Sequence, residues 1–101
     1  MTKDLYSIFQ SRGVLYRDTL LLPPPMALEF LRVCREKGVE FLGFDAFRLL
    51  PGDRIQPIMD DSLDLSAEPF SSCGEIEGLE IAEKFIKDRL DKDILFEMVI
   101  G

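Results

Sequence analysis

The 101 residues include no histidine. That excludes a Ser/His/Asp triad, a Cys/His pair, an HExxH zinc site and an imidazole general base, so any catalysis would rest on carboxylates or lysines. Cysteine is scarce: Cys34 and Cys73 are too few for a disulfide framework, their spacing matches no zinc motif, and both read as reduced thiols. No apolar run approaches the roughly 18 residues needed to span a bilayer. Residues 1–10 carry Asp4 and no apolar signal core, so a cytoplasmic protein is expected. A Gly-rich phosphate loop, an internal repeat and a low-complexity tract are also missing, which removes the common nucleotide-binding readings; no cofactor is expected. Positive charge is the last shortage, with 12 Lys and Arg against 19 Asp and Glu and a formal net charge of −7. Phosphate backbones and anionic headgroups repel such a chain, so neither nucleic acid nor membrane is expected as a partner. A basic protein is the natural complement.

What is present is an ordinary globular composition, 47% hydrophobic and 31% charged, in a chain of single-domain length, so residues 1–101 are read as one domain. Leu5, Ile8 and Phe9 predict a short amphipathic helix over residues 4–10, stopped near Gly13. Residues 14–16 suggest a brief edge strand, and residues 20–22 lead into Pro23, Pro24 and Pro25. Met26, Ala27, Phe30, Leu31, Val33 and Cys34 then form a stripe at helical spacing over residues 25–37, with Arg35 and Lys37 in the last turn and Gly38 as a left-handed cap. This places Cys34 in the core.

Residues 39–50 read as a long central strand in which Gly43 and Asp45 call for a bulge or kink. The turn Pro51-Gly52-Asp53 returns the chain as a strand over residues 54–59, kept at an edge by Pro57. Residues 60–72 have the composition of an exposed loop, and ordered loops of that length are usually functional. Ser72 and Glu75 fit a capping box that opens a helix over residues 73–90, supported by the pairs Glu80–Lys84 and Glu83–Lys87. Residues 94–100 read as a strand covered on both faces. The order α-β-α-β-β-α-β predicts a small α+β domain, with helices packed on a mainly antiparallel sheet of three or four strands.

The charge has an address. Residues 1–38 carry a net of +2, while residues 40–80 hold ten acidic residues against Arg48 and Arg54, a net of −8. Within that block Asp60, Asp61, Asp64 and Glu68 share a loop with Leu63, Leu65 and Phe70. Carboxylates that steer a partner, beside apolar anchors that hold it, are what a basic protein ligand requires. Asp45, Asp53, Glu75 and Glu77 extend this candidate surface. Asp60, Ser62 and Asp64 alternate like the start of a calcium loop, but Leu65 stands where glycine is required and Ser71 where the bidentate glutamate belongs, so an EF-hand is rejected and no metal site is assigned. A small carboxylate or metal-dependent enzyme would need a concave pocket that gathers two or more of these acids. An acidic mimic of nucleic acid, occupying the channel of a host enzyme, is a further alternative.

The helix that ends at Gly38, the segment VEFLGFDAFRLLPGDRIQP and the acidic loop after it resemble the bacterial immunity proteins grouped as immunity protein 40. The matching positions are Leu42, Gly43, Phe44, Asp45 and Phe47, and the similarity spans about residues 28–64. The resemblance implies a cytoplasmic protein of a polymorphic toxin system that binds and neutralises a cognate toxin, with no catalytic residue of its own.

Overall fold

A computed structural model describes residues 2–67, 70, 72 and 74–101. The elements are α1 (Thr2–Gln10), β1 (Val14–Tyr16), β2 (Thr19–Leu21), α2 (Pro24–Lys37), β3 (Phe41–Leu50), β4 (Arg54–Pro57), a 3₁₀ turn (Met59–Asp61), β5 (Leu63–Asp64), α3 (Glu75–Lys87) and β6 (Leu95–Ile100). This is an α+β domain with antiparallel pairing throughout. The α-carbon radius of gyration, 13.0 Å, is that of one compact body of about 100 residues.

β3 organises the sheet because the long run of residues 41–50 has partners on both edges. β6 pairs along residues 41–47, from Phe41↔Ile100 to Phe47↔Leu95. β4 and β5 share the opposite edge, with Leu49↔Ile55 in one and Gly43↔Asp64 in the other. Between them the ladder is completed by a side chain: Ala46 N–H donates to Ser62 Oγ at 3.0 Å, and the Ser62 hydroxyl donates to Ile58 O at 2.9 Å. Beyond β6, Leu22 and Phe96 exchange two 2.8 Å backbone hydrogen bonds and attach the β1–β2 hairpin to the sheet.

The expected bulge lies between Phe41 and Gly43, and Gly43 has φ of 141°. A β-carbon there would meet the Leu63 carbonyl oxygen. Glycine is therefore required on two counts, backbone conformation and the close approach of β5. Pro57 lies in β4 on the sheet edge, where its missing N–H is harmless.

One sheet face carries the core. Phe44, Ala46, Phe96 and Met98 are buried against Ala27, Phe30, Leu31 and Cys34 of α2 and Leu79, Ala82 and Ile86 of α3. Phe44 is central, with its ring 4.8 Å from that of Phe96 and 5.4 Å from that of Phe85. α1 docks on α2 through Tyr6 and Phe9, whose rings stand 5.7 and 5.3 Å from that of Phe30, and the Tyr6 hydroxyl donates to Met98 O. Cys34 is buried as expected, and burial pushes its thiol up to about 12. Cys73 lies outside the described residues.

Several expectations need correction. β6 is covered on one face only: Phe96 and Met98 are buried, Leu95 and Glu97 are half-buried and Val99 is exposed. Period-two burial had been masked in the sequence by apolar residues on the outward positions. The segment at residues 19–21 is a second strand that pairs with β1. The exposed loop begins later than residue 60, because residues 59–64 form the 3₁₀ turn and β5, while Leu63 and Leu65 join the core. The predicted capping box is not formed; Gly74 is the N-cap of α3, with no side-chain cap. Glu75 instead lies in the first turn, where the helix dipole favours its charge.

Candidate functional site

Asp61 separates from the other candidate acids. It is only 4% exposed. Its Oδ1 accepts from Arg89 Nε at 2.7 Å and from Lys92 Nζ at 3.1 Å. Arg89 also donates to the Phe85 and Asp60 carbonyls and stacks over the Phe85 ring, 3.6 Å from its centroid. Burial works against the charge on Asp61, yet the hydrogen bonds and positive charges of Arg89 and Lys92 outweigh it and hold the carboxyl below the ordinary range. Asp61 therefore clamps the 3₁₀ turn to the end of α3, and its expected place on an exposed contact surface is corrected: sequence shows no sign of cations 28 and 31 positions away.

The remaining acids divide by position. Asp53 is exposed at the β3–β4 turn, in a left-handed conformation with φ of 55°. Its carbonyl accepts the Tyr16 hydroxyl at 2.8 Å. At about 3.3 Å of rise per residue along β3, it stands well over 15 Å from Asp45. Asp60 is exposed on the 3₁₀ turn beside Met59, which is 80% exposed, and Glu77 is exposed in the first turn of α3. Glu68 lies outside the described residues.

Asp45, Asp64 and Glu75 do come together, at the bulge end of the sheet. Asp45 and Asp64 line a shallow cavity of about 260 Å³ with Gly43, Ser66 and Val99. An adjoining cavity of about 290 Å³ is lined by Glu40, Glu75, Phe70 and Gly78, and shares Leu42 and Ser66 with the first. Asp64 is locally engaged, accepting the backbone N–H and hydroxyl of Ser66, which hold its carboxyl below the ordinary range.

Glu97 belongs to this group and was absent from the sequence expectation. It stands directly opposite Asp45 in the β3–β6 register, so the two carboxylates share the outer sheet face. Burial, and after it the charge of Asp45, pushes the Glu97 carboxyl up. Among the described side chains no Lys or Arg nitrogen lies within 4 Å of either carboxylate. Only the strand register reveals this pair. On its other side Glu97 lines a cleft of about 340 Å³ with Tyr6, Gln10, Leu15 and Asp18.

The cations gather elsewhere. Arg32, Arg35 and Lys87 line a groove of about 480 Å³ between α2 and α3, in company with Glu29 and Glu83. Both of those acids are paired, Glu29 with Arg12 and Glu83 with Lys87. Among the described residues no three His, Cys, Asp or Glu side chains are grouped to hold a metal ion. Among the described residues no helix is long and apolar enough to cross a membrane. No protein-family model matches this chain, and no curated protein sequence matches it either.

Proposed function

We propose that this chain is an immunity-type inhibitor that binds a cognate basic toxin and neutralises it by occupation alone. Charge segregation carries the reading. Glu40, Asp45, Asp64, Glu75, Glu97 and Asp18 border three neighbouring cavities that no described Lys or Arg side chain lines, whereas Arg32, Arg35 and Lys87 line the α2–α3 groove. A one-signed surface of this kind accelerates encounter with an oppositely charged protein and excludes anionic substrates from the surface it covers. The resemblance of residues 28–64 to immunity protein 40 supplies the class of partner. Co-expression with the product of a toxin gene directly upstream tests the proposal: growth should be rescued and the two proteins should co-purify. Toxicity unchanged by this chain, with no complex formed by the purified proteins, defeats it.

A second reading has one observation in its favour, the cavity that gathers Asp45 and Asp64 as a metal-dependent carboxylate enzyme would require. Asp64 already accepts two hydrogen bonds from Ser66, which leaves Asp45 as the freer carboxylate. Calorimetric titration of the protein with Mg²⁺ and Mn²⁺ decides it: submillimolar binding abolished by Asp45→Asn supports the second reading, and no binding removes it.

A further inference from the structure

Among the described residues no helix lies on the outer face of the β3–β6 pair. Phe47 and Leu49 of β3, Ile55 and Pro57 of β4, and Leu95 and Val99 of β6 point away from the core and belong to no part of the buried cluster. Leu49 is 49% exposed and Val99 37% exposed. The β1–β2 hairpin reaches this side at the turn end, through the Tyr16 hydroxyl on Asp53 O. Asp45 and Val99 remain exposed toward the bulge end. A sheet face left open at its bulge end and part apolar is a surface for a partner, and its charge states which partner.

The register places like charges opposite each other in the middle of this face. Asp45↔Glu97 is a cross-strand pair, and like charges in that position are unfavourable for the isolated fold. Asp64 stands on the next strand, across the cavity it shares with Asp45 and Val99, and Asp18 stands across the cleft on the far side of Glu97. The carboxylates thus run across the strands, from β5 through β3 and β6 to the hairpin. An arginine or lysine inserted from outside would relieve the Asp45–Glu97 repulsion, while Val99, two residues from Glu97, would cover its aliphatic stem.

We infer that the outer face of β3 and β6, centred on Asp45, Glu97 and Val99, is the docking surface for an arginine- or lysine-bearing segment of a basic protein partner. The assignment rests on the inhibitor reading above and deepens it, moving the contact from the loop after β4 to the sheet itself. Charge complementarity selects this occupant over a second copy of the chain, which would set the same carboxylates against one another if the face met itself.

Titration of the full-length, ¹⁵N-labelled protein with a hexa-arginine peptide at about 150 mM salt tests the location. The largest amide shifts should fall on Asp45, Glu97 and Val99, and the Glu97 carboxyl should titrate at lower pH when the peptide is bound. Asp45→Asn with Glu97→Gln should weaken binding about tenfold or more, whereas Asp60→Asn with Glu77→Gln, both outside the acidic cavities, should change it less than about threefold. Val99→Lys, an exposed substitution that supplies a cation within the chain, should weaken binding as well and serves if the double variant does not fold. Shifts centred on Asp60 and Glu77, equal binding by the sheet variants, no binding at this salt, or a homodimer that buries the face would each overturn the inference. Failure of the wild type to bind the upstream toxin, with the peptide still mapping to this face, would defeat the inhibitor reading alone.

Discussion

Replacing Asp61 with asparagine removes the negative charge that two cations share and preserves the side-chain volume. Breaking a fully buried ion pair by deleting one partner costs about 3–5 kcal/mol. The Arg89 and Lys92 side chains are 19% and 49% exposed, so each recovers part of its hydration when the carboxylate is lost. The asparagine carbonyl also keeps one neutral acceptor for Arg89. The expected loss is therefore about 2 kcal/mol at pH 7, or a fall in Tm of roughly 8–15 °C for a domain of this size. The sign of its pH dependence follows from the lowered carboxyl. As pH falls, the unfolded chain takes up this proton first, so the stabilisation is complete above the unfolded pKa near about 4 and drains away toward the lower folded value. Urea titrations followed by far-UV circular dichroism, for both proteins from pH 7 to pH 3, measure the difference directly. A loss below about 0.5 kcal/mol at pH 7, or a gap that does not narrow between about pH 4 and pH 3, would refute the clamp.

Gly43→Ala should cost about 3 kcal/mol or more, because φ of 141° suits glycine alone and the new methyl would meet the Leu63 carbonyl; a Tm within about 2 °C of wild type would contradict this. Glu97→Gln should stabilise the protein by about 0.5 kcal/mol at pH 7 by relieving the charge opposed to Asp45. With the Glu97 carboxyl raised, that penalty is present above its folded pKa and vanishes as pH falls toward the unfolded value near about 4, so the gain should disappear in acid. Destabilisation at pH 7, or an equal gain at pH 3.5, would refute it. In a Cys73→Ser background, Cys34 should react with a thiol reagent only at the rate of unfolding, since its thiol is buried and raised to about 12; labelling that is fast and insensitive to denaturant would show the packing to be wrong.

The elements were legible wherever one local period dominates. α2 starts at Pro24, one residue before the expected position, and its Gly38 cap is left-handed with φ of 65°. The bulge at Gly43 followed from glycine and aspartate placed within a strand rich in Phe and Leu. What could not be read was anything decided by distant partners. Residues 63–64 are too few to show a period, and they form a strand only because β3 offers an unpaired edge beside Gly43. Ser62 looked like a loop serine and instead completes a ladder. Among the acids, composition marked the charged segment but could not rank its members, and it left out Glu97 and Asp18, which the fold brings beside it. Asp60 and Asp61 are sequence neighbours, yet one is exposed and the other is nearly sealed by Arg89 and Lys92.

That contrast separates two uses of a carboxylate in one small domain. Asp61 is answered from within the chain by two cations, so the charge stabilises the fold and little of it is left for a partner. Asp45 and Glu97 are set opposite each other by β3 and β6, with no described cation in reach, so their charge opposes the fold. Neutralising Asp61 and neutralising Glu97 should therefore move stability in opposite directions at pH 7. Under the proposed inhibitor function they should also move binding in opposite order of severity, with Glu97 the greater loss. A bound basic segment would turn the unfavourable sheet pair into a charge-assisted contact, and the free energy recovered would appear as affinity. Thermal melts with and without the hexa-arginine peptide resolve the two cases: the peptide should raise the Tm of wild type and of an Asp61→Asn variant alike, and should raise that of Asp45→Asn/Glu97→Gln clearly less. Equal peptide stabilisation of all three proteins would mean that the sheet pair receives no cation.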